Sequence, residues 1–127
     1  MSSAEEFVLD LPATAAAAAV VRATAAAIAM AHDLPLDVIT DVRLAVDEAC
    51  SAMMPLAVPG TKMRCTVQAH EAHLDISVQV TGVPDGQFTA DSVDLRILGS
   101  LAQHLDTYSE PATAVLGIRL RMARTSA

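Results

Sequence analysis

Twelve of the 19 residues from Ala13 to Ala31 are alanine, and this run restricts the fold more than any other feature of the chain. Alanine has the highest helix propensity, so the segment reads as one long helix. Its larger apolar side chains are few: Val20, Val21, Ile28 and Met30. A helix surfaced with methyl groups can approach a neighbour closely. The run is long enough to suggest a membrane span, and Ala29-Met30-Ala31 resembles a leader-cleavage site. Arg22 in its middle argues against a span, because charge at that depth is costly. Glu5, Glu6 and Asp10 precede it, where a leader would carry positive charge. The expectation is a cytoplasmic helix in a single domain covering residues 1–127, long enough to bury about two thirds of its unfolded surface.

The remaining chain alternates between two periodicities. Residues 5–11 place Phe7, Leu9 and Leu11 at period two, a strand that Pro12 ends while suiting the first turn of the following helix. His32-Asp33-Leu34-Pro35 breaks that helix. From Leu36 to Met54 a second helix is expected. Val38, Ile39, Val42, Ala45, Val46, Ala49, Cys50 and Met53 fall in one apolar arc, with Asp37, Asp41 and Glu48 along its border. Residues 63–68 and 74–80 alternate as a hairpin turning over His70-Glu71-Ala72-His73. After a loop over 81–87, a third helix is expected from Asp91 to Leu105, capped by Asp91 or Ser92 and striped by Leu95, Leu98, Leu101, Ala102 and Leu105. Strands at 106–109 and 114–122 complete a β-α-α-β-β-α-β-β order. That order implies an α/β (α+β) two-layer sandwich, with one sheet face covered by helices.

Composition narrows the function. Fifteen acidic and eight basic residues give a net charge of -7, and the only lysine is Lys62. Phosphate backbones are bound by clustered cations, and single-stranded bases by aromatic platforms. With Phe7, Phe88 and Tyr108 as the only aromatics, nucleic acid is excluded as a partner, and the negative charge also disfavours an anionic membrane. Cys50 and Cys65 make no disulfide framework and read as buried thiols of a reducing compartment. His70-x-x-His73 near Cys65 has the spacing of two metal ligands, but imidazoles on a hairpin turn face water and no third ligand is evident. The sequence reading therefore assigns no metal site. Glu48, at the border of the apolar arc, is the candidate general base, the alternative being a carboxylate on a solvated helix edge.

The run Val38-Ile39-Thr40-Asp41-Val42-Arg43-Leu44-Ala45-Val46-Asp47-Glu48-Ala49-Cys50-Ser51 resembles the N-box of the RsbW/SpoIIAB anti-sigma factors, which use the GHKL (histidine kinase-like) ATPase fold. Asp94–Leu101 resembles the helix after that family's glycine-rich loop, and Val115–Leu120 its last strand. The nearest similarity is to the actinobacterial UsfX-like branch. The resemblance implies a protein, often a homodimer, that withholds a stress or sporulation sigma factor from RNA polymerase. It also implies phosphorylation of an anti-anti-sigma partner with ATP and Mg²⁺, Glu48 activating the attacking hydroxyl.

Three departures from the family pattern bear on that chemistry. Ala52 stands where the metal-holding asparagine is expected. Thr81 takes the place of the adenine-binding aspartate, leaving Gly82, or in a shifted frame Asp85 and Gly86, as nucleotide-side residues. Ala90-Asp91-Ser92-Val93 replaces the glycine-rich lid, and Asp91 and Asp94 would repel phosphates. The expectation is thus an anti-sigma factor acting by sequestration, released by an anti-anti-sigma antagonist, with a degenerate ATP site. An active serine kinase is the alternative, and a sensor-like module with another partner a third reading.

Overall fold

The computed structural model describes residues 4–83 and 95–124. Five strands form one antiparallel sheet in the order β1-β2-β3-β5-β4, where β1 is Glu5–Pro12, β2 Lys62–Ala69, β3 His73–Thr81, β4 His104–Glu110 and β5 Val115–Ala123. Helices α1 (Ala15–Ala31), α2 (Leu36–Met53) and α3 (Arg96–Leu101) cover one face, with a 3₁₀ turn at Met54–Leu56. The order of elements and the two-layer α+β architecture follow the sequence expectation.

Boundaries differ at two places. Pro12 is the last residue of β1, opposite Lys62, and not part of the helix. Thr14 caps α1 instead, its hydroxyl accepting from the Ala17 N–H at 3.3 Å. The third helix ends at Leu101: Ala102 turns extended, and Leu105, expected on the helical stripe, belongs to β4. The expected start of that helix and its caps, Asp91 or Ser92, lie outside the described residues.

The alanine helix ends where its sequence said it would. Asp33 takes a positive φ of 57°, the Leu34 N–H reaches Ala29 O at 3.1 Å, and the Asp33 N–H reaches Met30 O at 3.0 Å. This double closure satisfies carbonyls the helix leaves open. Arg124, from the far end of the chain, donates to the His32 and Asp33 carbonyls at 2.9 and 3.1 Å. No helix among the described residues is long and apolar enough to cross a membrane.

The core lies between the layers. All eight residues of the expected α2 arc are buried. They meet the inward rows Met63, Cys65 and Val67 of β2, Leu74, Ile76, Val78 and Val80 of β3, and Leu116, Ile118, Leu120 and Met122 of β5. α1 packs along α2, with Ala25, Ala26 and Ala29 among its buried residues.

The other sheet face is polar and carries no helix among the described residues. Cross-strand pairs run along it: Asp10 with Arg64 at 2.8 Å, Glu6 with Gln68 at 2.8 Å and Asp75 with Arg121 at 2.9 Å. The Asp10 carboxyl lies below the usual carboxylate range because Arg64 donates to it. Tyr108 crosses from β4 over Gly117 of β5 to give its hydroxyl proton to Gln79 of β3 at 2.9 Å, with Arg119 stacked on its ring at 4.1 Å.

Candidate functional site

The N-box-like residues lie on α2, and the helix's apolar arc fixes their orientation. Val42, Val46 and Ala49 point into the core, so Asp41 and Glu48, on the border of the same arc, are half-buried. Asp47, one residue earlier, turns toward α1 and pairs with Arg22 at 3.0 Å. Arg22, the charge that argued against a membrane span, thus ties the two helices together. Ala52 lies one turn beyond Glu48 on the same edge and is half-buried. It presents a methyl group there, with no oxygen for a hard cation.

Gly82 directly follows β3 and is buried. The Gly82 N–H donates to Ala114 O at 2.7 Å, and the Val58 N–H donates to Thr81 O at 2.8 Å, so this stretch is tied to the β4–β5 turn and to the loop after α2. A Cβ at Gly82 would come within 2.8 Å of Leu116 Cδ1. The absence of a side chain here serves packing against β5. Thr81 closes β3 opposite Val115. Asp85 and Gly86, the other candidates for the nucleotide side, lie outside the described residues, as do Asp91 and Asp94.

Glu48 offers one carboxylate, and Ala52 and Thr81, the residues expected at the asparagine and aspartate of the family pattern, offer a methyl group and a hydroxyl. Magnesium takes near-octahedral oxygen coordination and is held by one or two carboxylates together with substrate phosphates.

The thiols are chemically quiet. Burial pushes Cys50 up to about 12, helped by the nearby Asp47 carboxylate, and burial pushes Cys65 up to about 12, helped by Cys50. Both face the core from α2 and β2. We expect the folded protein to react with a thiol reagent at pH 8 roughly a thousandfold more slowly than a free thiol, and both cysteines to react on unfolding. Fast titration of either one in the native state would contradict this burial.

One arrangement was missed by sequence reasoning. The hairpin turn was expected to leave His70 and His73 facing water, but it stacks their rings at 4.5 Å, while Cys65 points to the opposite face of the sheet and is 1% exposed. The third neighbour is Asp75, whose carboxylate lies 3.2 Å from His70 Nε2 and 3.3 Å from His73 Nε2. The signal was present in the period of the strand, since Asp75 is two residues past His73 and so shares its face.

With this geometry in place, comparison with known proteins places the chain. It is similar to the anti-sigma-F factor RsbW of two strains of Mycobacterium tuberculosis, with 26% identity over 113 residues, covering 85% of this chain and 67% of each relative. Residues 11–111 match the histidine kinase-like ATPase domain, a span from the end of β1 through α2, the β2–β3 hairpin and β4. The helix that carries Glu48 and strands β2, β3 and β4 thus lie within the matched span, and the chain belongs to the histidine kinase-like ATPase domain family.

Proposed function

We propose that this protein is an anti-sigma factor that binds an alternative sigma factor and holds it from RNA polymerase by sequestration. A competing anti-anti-sigma antagonist would release it. The observation that carries this reading is the similarity to anti-sigma-F factors along most of the chain, combined with a site poor in nucleotide and metal ligands. A net charge of -7 suits a basic partner surface and speeds encounter with it. A cytoplasmic location and the actinobacterial UsfX-like branch are parts of the same proposal, the branch supported by the mycobacterial source of the relatives.

In this reading the ATP site is degenerate. Glu48 keeps the position of the family's catalytic base, but Ala52 leaves no side-chain donor for the metal that would orient a triphosphate. Phosphoryl transfer depends on positioning and charge neutralisation more than on a base alone. Glu48 without that support marks the ancestral site more than it makes a kinase. Homodimerisation, common in the family that the sequence resembles, is also proposed.

The test is co-purification of the full chain with the cognate sigma factor at micromolar concentration, with and without ATP. A stable complex that does not require nucleotide is the expected result, and no complex under either condition would sink the proposal. Calorimetry with an ATP analogue and Mg²⁺ separates the kinase alternative. Saturable binding lost in Glu48→Ala would favour an active enzyme, whereas no heat up to millimolar nucleotide fits sequestration alone.

A further inference from the structure

On the polar face of the sheet, at the β2–β3 turn, three potential ligands converge. The turn is closed by the His70 N–H donating to His73 O at 2.9 Å, which sets the two imidazoles side by side. Their ring centroids are 4.5 Å apart and the planes differ by 27°. Both Nε2 atoms approach the same oxygen, Asp75 Oδ2, at 3.2 and 3.3 Å. The three ligand atoms lie within 4.8 Å of one another.

We propose that His70, His73 and Asp75 form a binding site for a divalent first-row transition metal of the zinc type. The argument is geometric. Zinc bonds of about 2.0–2.2 Å in a tetrahedron put neighbouring ligand atoms about 3.3 Å apart. The two nitrogen-to-oxygen separations match that edge. His70 Nε2 gives an independent sign. It is shielded from solvent and, despite its 3.2 Å approach to Asp75, makes no aligned hydrogen bond. This nitrogen is therefore buried beside a carboxylate and has no other partner among the described residues.

The carboxylate is already oriented by a second residue. Arg121 Nε holds Asp75 Oδ1 at 2.9 Å and leaves Oδ2 turned toward the imidazoles, with a longer contact of 3.3 Å from Nη2. Ligating carboxylates are commonly fixed in this way by an outer partner. An aspartate carboxylate is ionised at neutral pH, as a ligand must be. Two imidazoles and one carboxylate select zinc and its neighbours over magnesium or calcium. The side chains are 21–35% exposed, so water or a donor from a partner can complete the coordination. Such a metal would staple the β2–β3 hairpin at its turn. The site does not depend on the anti-sigma reading.

The test uses the full chain, freed of any polyhistidine tag and stripped of metal. Calorimetric titration with Zn²⁺ is expected to give one equivalent at micromolar Kd. His70→Ala, His73→Ala and Asp75→Ala should each weaken binding about 10-fold or more. His32→Ala and His104→Ala, at the other two histidines, should leave it unchanged. A second readout needs no variant: Zn²⁺ should shift amide resonances of residues 69–75 and of Arg121 and leave those of α2 in place. No binding up to about 100 μM, far above the proposed micromolar range, would overturn the proposal. So would binding that survives His70→Ala and His73→Ala, or resonance shifts centred elsewhere.

Discussion

Ala29→Leu is expected to destabilise the protein by about 1–3 kcal/mol, whereas Ala27→Leu, two residues away on the same helix, should change stability by less than about 0.5 kcal/mol. Both substitutions replace alanine with another strong helix former, so local propensity predicts almost no difference. Packing predicts a large one. Ala29 is 0% exposed and lies within the core cluster, while Ala27 faces solvent. Three additional carbons at position 29 must push the helices apart or force strained rotamers. Thermal denaturation checks this. At roughly 4 °C per kcal/mol for a domain of this size, Ala29→Leu should lower Tm by about 4–12 °C. Equal melting of the two variants would show that α1 does not pack on α2 through this face.

Gly117→Val should cost about 2–3 kcal/mol, although valine is the better strand former. Gly117 sits in β5 between Gln79 of β3 and Tyr108 of β4, and the tyrosine ring lies across it. A Cβ at position 117 would overlap Tyr108 Cζ and Oη. The ring cannot move aside freely, because Gln79 accepts its hydroxyl proton and Arg119 stacks on its face. The partner variant makes the explanation specific. In a Tyr108→Ala background, Gly117→Val should lose most of its penalty, giving a coupling of about 1–3 kcal/mol in a double-mutant cycle. Urea denaturation measures it. An unchanged penalty without the ring would place the strain elsewhere.

The elements that were legible in the sequence share one property, a contrast between large apolar and polar side chains at a clear period. On α2 that contrast named all eight buried positions. On β2 and β3 it gave the inward rows and the turn at His70–His73. The contrast misled at the end of α3. Leu101, Ala102 and Leu105 continue a helical stripe, but a strand beginning at His104 also turns Leu105 toward the core. Two periods fit the same few residues, and pairing with β5 chose between them.

The candidate sites divide in the same way. The place of Glu48 on the border of the α2 arc followed from periodicity alone, because one helix carries both the arc and the carboxylate. The convergence of His70, His73 and Asp75 depends on residues brought together across a turn. Its members could be found only by combining the hairpin register, Ala69 opposite Leu74, with the shared face of alternate strand residues. Cys65, nearer to His70 in sequence than many true ligands are, is excluded because its strand position turns it inward.

The alanine run marks the boundary between what sequence and structure each decide. The sequence by itself determined that residues 13–31 hold a helix, and that His32-Asp33-Leu34 ends it. It could not determine which face is buried, since alanines on every side give the helix almost no apolar phase. Tertiary structure selected Ala17, Ala18, Val21, Ala25, Ala26, Ile28 and Ala29, and left Ala15, Ala16, Ala19, Ala23 and Ala27 to solvent. The reason is steric and long-range. Propensity is a property of each residue, but the burial of a methyl group depends on what lies opposite, and α2, the sheet and the Arg22–Asp47 pair supply that only once the chain has folded.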